Sequence, residues 1–145
     1  MTLSQRCYYA LRAIYELAKA GEGQSIKIAQ IAERQRLPLK FLEAILNELK
    51  KGHFVESRRG NDGGYLLARP AHGLTVGEII RFVEGPLSPM KCTEDHGGCG
   101  VEHELCVFAP IWTQAEQALT DVYDSITFQD LVDRNAHDFA DDFVI

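Results

Sequence analysis

Three of the four cysteines in the chain lie close together in one segment. Cys92, Cys99 and Cys106 follow one another with six residues between neighbours, and several glycines interrupt the stretch "CTEDHGGCGVEHELC". Three thiols in one loop cannot all pair with one another, and closely spaced cysteines in a reducing cytosol are more often metal-binding or redox-active than structural. The segment therefore predicts a metal-binding or redox-active loop.

One competing interpretation places these thiols in a protein core. The seven-residue repeat would put all of them on one face of a helix if residues 92–106 were helical. The glycines and the charged stretches "TED" and "VEHE" disfavour such a helix. A zinc site and a metal-free redox switch remain as alternatives that use the same three thiols.

The charge is divided unevenly along the 145 residues, although the whole chain is acidic with a net charge of −6. Residues 1–70 contain twelve Lys and Arg against seven Asp and Glu, and residues 71–145 contain three against fourteen. A basic first half predicts an anionic partner, and the phosphate backbone of nucleic acid is the commonest such surface.

The sequence disfavours membrane and enzyme classes. It has no apolar run of the roughly 18 residues that a spanning helix needs, and its start does not resemble a signal peptide. It also has no glycine-rich cofactor loop, no nucleophile and base at suggestive spacing and no C-x-x-C pair. We therefore predict a cytoplasmic protein that is not an enzyme and has no membrane partner.

Helical periodicity and alternation predict the order of the elements. Helices are expected over 5–20, 26–35 with Ser25 as N-cap, 38–50 with Pro38 in its first turn, 74–85, 108–126 and 127–135. Strands are expected over 53–59 and 64–70, joined by "GNDG". Thr75 and Glu78 predict a capping box at the start of the fourth helix.

This order is typical of a winged helix-turn-helix, in which the second helix of the pair enters the major groove and the hairpin forms the wing. The reading helix is then 38–50, and Lys40, Phe41 and Glu43 point outward near its start. Lys40 suits guanine or phosphate, and Glu43 can accept from a cytosine amino group. Arg58 and Arg59 at the hairpin tip suit phosphate or a narrow minor groove. An ordinary solvated face is the alternative.

Nearly the whole chain resembles the Rrf-two (Rrf2) superfamily of bacterial transcription regulators. The resemblance is carried by "IAERQRLPLKFLEAILNELKKGHFVESRRGNDGGYLLAR" and by the cysteine loop followed by a long helix, and the turn from Arg59 to Tyr65 is its most specific part. It implies a mainly α fold with a hairpin wing and a long dimerisation helix, and a homodimer on palindromic double-stranded DNA. The residues predicted to contact DNA are Ser25, Lys27, Lys40, Phe41, Glu43, Arg58 and Arg59.

The resemblance also implies a cofactor and a domain organisation. Cys92, Cys99 and Cys106 are expected to bind an iron-sulfur cluster, since thiolates are the usual ligands. A 2Fe-2S cluster is favoured over a 4Fe-4S cluster. The regulator would sense cluster status, redox poise or nitric oxide; a small redox protein and a cluster-free thiol switch are the alternatives. The predicted units are a DNA-binding domain, a cysteine loop, a dimerisation helix with a short terminal helix, and an acidic tail, over 1–85, 86–107, 108–134 and 135–145.

The fourth ligand of the cluster stays open. Some members of the family use a histidine three residues after the last cysteine, where this chain has Ala109. Others use an acidic residue on the first helix of the partner subunit, and the matching position here is Tyr8. Cys7, Tyr8, His96 and His103 are the candidates, and for Cys7 the alternative is a small side chain packed in the core.

Overall fold

A computed structural model describes residues 2–90 and 103–143, with side chains described for 2–90 and 104–136. Cys92, His96 and Cys99 lie outside the described residues. Six helices and one antiparallel hairpin lie within them: α1 (Gln5–Ala20), α2 (Ile28–Gln35), α3 (Leu39–Lys51), β1 (Val55–Arg58), β2 (Gly64–Leu67), α4 (Val76–Glu84), α5 (Ala109–Asp124) and α6 (Phe128–Phe143). Short 3-10 turns occupy Ala71–Gly73 and His103–Leu105.

The helices α1, α2 and α3 enclose the main apolar core. Ser4 caps α1 by accepting a hydrogen bond from the Cys7 backbone N–H, and Gly21 ends the helix with φ at 98°. On α3 the apolar residues at three- and four-residue spacing are buried against the rest of the core: Leu42, Ile45, Leu46 and Leu49. The opposite face of α3 is therefore left for solvent or a partner.

The wing is anchored to the segment that precedes α2. Tyr65 of β2 and Ile26 exchange backbone hydrogen bonds of 2.8 Å in both directions. Gly64 has a φ of +155°, and a Cβ at this position would overlap the Ile26 carbonyl. A glycine is required here because the two backbones approach too closely for a side chain.

The C-terminal helices are joined to the winged domain through α4 and, in the case of α6, also through the main core. Thr75 and Glu78 form the predicted capping box at the start of α4. The Val76 N–H donates to the Ile126 carbonyl at 2.9 Å, and Phe128 is buried at the start of α6. An ion pair of 2.8 Å between Arg81 and Asp124 ties α4 to the end of α5.

The prediction that α2 starts at residue 26 with Ser25 as its cap is wrong. The helix begins at Ile28 after Lys27 at the N-cap position, where no side chain caps it. The Ser25 hydroxyl instead donates to the Asp62 carbonyl at 2.8 Å. Because Ile26 pairs with Tyr65, the backbone stays extended up to Lys27.

The prediction that the terminal helix ends near residue 135 is also wrong. Helix α6 continues to Phe143, so most of the predicted acidic tail 135–145 is helical. The stretch "AHDFADDF" contains neither glycine nor proline, and nothing in it stops a helix. The strands, by contrast, are shorter than predicted, and β1 begins only at Val55, after His53 takes a left-handed conformation with φ at 62°.

None of the helices in the described ranges combines the length and the apolar character that a membrane span requires. The mainly α fold with a hairpin wing is confirmed. Helix α5 is long, as expected, with 16 residues.

Candidate nucleic-acid interface and cysteine site

The exposed face of α3 begins with a mixed charged and apolar surface. Lys40, Glu43 and Ala44 are exposed, and Phe41 keeps 63% of its surface in solvent. The residues at the N-terminal end of a reading helix are those that reach base edges in the major groove. The structure thus brings Lys40, Phe41 and Glu43, which are all predicted to contact DNA, together at the N-terminal end of α3.

The wing is braced against the C-terminal half of α3. The Lys50 ammonium donates to the Ser57 hydroxyl at 2.7 Å, and the Tyr65 hydroxyl lies 3.5 Å from the Asn47 side-chain oxygen. These contacts cross from β1 and β2 to the helix. They fix the hairpin relative to α3, so that both elements present one surface.

The two arginines of the wing differ in their local contacts. The Arg58 guanidinium donates to the Gly23 carbonyl at 3.0 Å, which draws it back toward the loop after α1. Arg59 is exposed, and within residues 2–90 and 104–136 it makes no hydrogen bond or ion pair. Arg59 is therefore the arginine whose charge is available to an outside partner.

The segment before α2 supports the wing rather than forming a separate surface. Ser25 is half-buried and holds the wing turn at Asp62, whereas Lys27 is exposed at the N-cap of α2. The structure therefore brings Ser25 and the hairpin turn together. Lys27 remains an exposed charge beside them.

The sequence analysis missed a polar clamp that positions the turn between α2 and α3. Arg12 of α1 donates both to the Gln35 side-chain oxygen, at 2.9 Å, and to its backbone oxygen. The Gln35 amide in turn donates to Glu16 at 2.6 Å, and Glu16 is only 2% exposed. The sequence signal for this clamp is the i, i+4 spacing of Arg12 and Glu16 on α1. Their shared partner, Gln35, lies on another helix, and local spacing does not reveal it.

Cys7 lies in the core. Its thiol is fully buried and packs with Ile80 and Leu87. Burial, together with the nearby Glu84 carboxylate, raises the pKa of Cys7 to about 11, so the thiol stays protonated at neutral pH. This environment favours the packed side chain over a metal-binding thiolate.

Tyr8 occupies the neighbouring outward position on α1. It keeps 57% of its surface exposed. The Arg12 guanidinium lies 5.5 Å from the centre of its ring, a distance at which a cation and an aromatic face attract each other. A partner can therefore reach Tyr8, but not Cys7.

Cys106 is half-buried between the 3-10 turn at His103–Leu105 and the start of α5. Its backbone carbonyl accepts from the Ala109 N–H at 3.2 Å, so it is held close to the helix N-terminus. It forms no disulfide with any described residue. Where the chain is described, no three His, Cys, Asp or Glu side chains are grouped to hold a metal ion.

Exposed apolar side chains cluster around Cys106 and along α5. Leu105, Val107 and Phe108 are 72%, 79% and 57% exposed, and Ile111 and Val122 on α5 are 53% and 55% exposed. A stripe of this kind marks an interaction surface more often than a solvated face.

The sequence and the fold are similar to those of known transcription regulators. The sequence model of a family described as "Rrf2: Iron-dependent Transcriptional regulator" matches residues 3–134. The chain belongs to the Rrf2 family. It is 31% identical to the protein rrf2 of Nitratidesulfovibrio vulgaris, over 91% of this chain and 87% of that protein. It is 33% identical to the HTH-type transcriptional regulator IscR of Escherichia coli, over 91% of this chain and 80% of that one.

Solved structures of Rrf2 regulators share the fold. CymR, the global cysteine regulator of B. subtilis, superposes with a TM-score of 0.77 at 31% identity, over 92% of this chain and 98% of that one. IscR of T. potens gives a TM-score of 0.77 at 30% identity, over 93% and 88%. The predicted family and the winged-helix fold are thus confirmed, and this Rrf2 protein is a DNA-binding transcriptional regulator.

Proposed function

We propose that this Rrf2 protein is an iron-sulfur-dependent transcription regulator that binds palindromic operator DNA as a homodimer. The observation that carries the proposal is the place of Cys106. This thiol closes the three-cysteine segment, is half-buried beside the start of α5, and lies among exposed apolar side chains.

The chemistry of the donor set fits a cluster. Cys92, Cys99 and Cys106 would supply three thiolates, the ligand type that iron-sulfur clusters use. The partial positive charge at the N-terminus of α5 favours a negatively charged group next to Cys106. The "iron-dependent" description of the family supports the same assignment. When bound, such a group supplies reversible electron transfer and sensitivity to oxidants and nitric oxide.

For the fourth ligand, the structure favours some candidates over others. Cys7 is enclosed and protonated, so we propose that it does not contribute. Tyr8 is exposed on α1 and accessible from a second subunit. His103 lies three residues before Cys106, and His96 lies outside the described residues. The favoured 2Fe-2S type stays a prediction that the visible spectrum tests.

DNA recognition would use α3 and the wing together. We place the first turns of α3 in the major groove, where Lys40 meets guanine or phosphate and Glu43 accepts from cytosine. Arg59 extends from the wing to the phosphate backbone or the minor groove, since its charge has no described partner. Lys27 and Arg58 add charge along the same surface, and Ser25 holds the wing turn.

Dimerisation would bury the apolar stripe of α5 against a second copy. The double variant Ile111→Asp with Val122→Asp should be monomeric in sedimentation equilibrium, because two carboxylates cannot be buried unpaired in an apolar interface. Gln117→Glu on another face of α5 is the control and should remain dimeric. A dimer that survives the double variant would contradict this interface.

The winged domain and α5 are linked so that a change at Cys106 can reach α3. Arg81 pairs with Asp124, and the Val76 N–H donates to the Ile126 carbonyl, so α4 is connected to the end of α5 and to the turn that follows it. Movement at the start of α5 would then alter how two winged domains are spaced. Half-sites one helical turn apart, roughly 34 Å, tolerate little change in that spacing.

The test is anaerobic purification followed by iron and sulfide analysis. Wild-type protein should be coloured and contain both elements, and Cys106→Ala should lose them. Cys7→Ala should retain the cluster, since the buried thiol is not a ligand. A colourless, iron-free wild-type protein would contradict the proposal.

A second candidate is a cluster-free thiol switch. It is supported by the structural likeness to CymR, including an oxidised form from Staphylococcus aureus with a TM-score of 0.71 at 30% identity. In that case Cys106 would form a reversible oxidised species, and operator affinity would respond to peroxide in iron-free protein. Iron-free protein whose affinity ignores both peroxide and thiol reductant would exclude it.

A further inference from the structure

We propose that Phe41 and Ala44 together form an apolar contact for the 5-methyl group of thymine in the operator. This inference rests on the proposed placement of α3 in the major groove and adds the base feature that this helix reads. It assigns a specificity-determining role to the largest exposed apolar side chain of the helix.

Phe41 and Ala44 form one continuous apolar surface on α3. They are three residues apart, which makes them neighbours on a helix face, and both are exposed. Phe41 keeps 63% of its surface in solvent despite an apolar groove of about 270 Å³ beside it, which Tyr9 and Ile45 also line. Most of the Phe41 surface is therefore open to a partner at the N-terminal end of α3.

The chemistry of the major groove identifies the partner. The base edges there present hydrogen-bond donors and acceptors, which suit Lys40 and Glu43 on the adjoining face of α3. Thymine alone among the four bases adds an apolar group, and phenylalanine and alanine are side chains that contact it. An apolar pair next to two charged residues thus predicts a thymine at a defined position in each half-site.

The size of the effect follows from one methyl group. Removing a group of this size from water strengthens binding by about fourfold. A palindromic site contains two such contacts, so the combined effect is roughly fifteenfold. Replacing thymine by deoxyuridine deletes the methyl group and leaves every hydrogen-bonding atom of the base pair in place.

The experiment uses an operator selected by the full-length protein from random duplex DNA. Each thymine is replaced by deoxyuridine, one symmetric pair at a time, and affinities are measured at one salt concentration for wild type, Phe41→Ala, Phe41→Leu and Lys40→Ala. We expect one position at which uracil weakens wild-type binding by roughly fifteenfold. The penalty should fall in Phe41→Ala, which leaves only Ala44 at the methyl group, and should persist at full size in Phe41→Leu and in Lys40→Ala, whose affinity falls equally on both operators.

The outcomes separate this inference from the proposed function. An operator at which no uracil substitution changes wild-type affinity overturns the thymine contact and leaves DNA binding intact. A uracil penalty that keeps its full size in Phe41→Ala also overturns it, because Phe41 then does not contact the methyl group. A protein that selects no DNA overturns both.

Discussion

Arg12 of α1 holds Gln35, the last residue of α2, by two hydrogen bonds at once. One goes to the side-chain oxygen at 2.9 Å and the other to the backbone carbonyl. The next residue, Arg36, is left-handed with φ at 53° and starts the turn into α3. The first helix therefore fixes the point from which the reading helix departs.

We expect Arg12→Gln to lower the free energy of unfolding by about 1.5–3 kcal/mol, the range for hydrogen bonds to charged groups. Urea denaturation measures this loss, and operator affinity should fall as well because α3 loses its fixed orientation. The control is Arg6→Gln. Arg6 forms a solvent-accessible ion pair with Glu48 on α3, and the loss of this pair should cost under about 1 kcal/mol. Equal losses in the two variants would contradict a special role for the clamp.

Gly64→Ala should destabilise the wing strongly, by at least about 2 kcal/mol, since a Cβ overlaps a backbone carbonyl that cannot move aside. Gly73→Ala is the matched control, because a Cβ added at Gly73 would meet no other atom of the described structure within 4 Å apart from its chain neighbours. We expect urea denaturation to show a large shift for the first variant and almost none for the second. Comparable stability of both proteins would show that Ile26 does not fix the wing.

The Arg12–Gln35 clamp and the close approach of Gly64 to Ile26 are features that the sequence does not predict. Periodicity placed α1 and α3, and the Thr75 and Glu78 spacing predicted the capping box, because each of these signals lies within one helix. The start of α2 was misplaced because it depends on pairing between Ile26 and Tyr65, which are distant in sequence. The clamp on Gln35 was missed for the same reason.

The sequence likewise predicts only part of the candidate site. The residue types and their order were sufficient to predict a winged helix with Lys40, Phe41 and Glu43 outward on α3. Burial distinguished Cys7 from Tyr8, since adjacent positions on a helix face different environments and only packing shows which one is inward. Local spacing contains no such information.

Glu78 should make the stability of the winged domain depend on pH. Burial opposes its charge, but hydrogen bonds from Thr75 and the Arg69 guanidinium outweigh that effect and hold its pKa below the ordinary value of 4.5. A lowered pKa in the folded state gives stability that is present above the unfolded value and lost as pH falls through the folded one. Thermal unfolding should therefore lose more stability below pH of about 4.5 in wild type than in Glu78→Gln.

The Thr75→Ala variant separates the cap from the charge. We expect it to cost about 1 kcal/mol at neutral pH, as for the loss of an N-cap side chain. Parallel pH profiles for wild type and Glu78→Gln would contradict the assignment of this acid transition to Glu78.

Arg59→Ala should weaken operator binding and reduce the slope of log affinity against log salt by about one, because one phosphate contact is lost. Arg134→Ala removes the same charge from an exposed position on α6 and should leave the slope unchanged. Fluorescence anisotropy over a salt series measures both variants. If Arg134→Ala altered the slope as much as Arg59→Ala, net charge rather than the wing contact would account for the effect.

The most direct test of the account compares operator affinity in three states of the protein at one salt concentration. These are anaerobically purified wild type, the same protein after removal of its cluster, and the variant in which Cys92, Cys99 and Cys106 are alanine. We predict that the first differs from the other two by at least about fivefold, a usual lower bound for coupled sites. Equal affinity in all three states would contradict a cluster-dependent regulator.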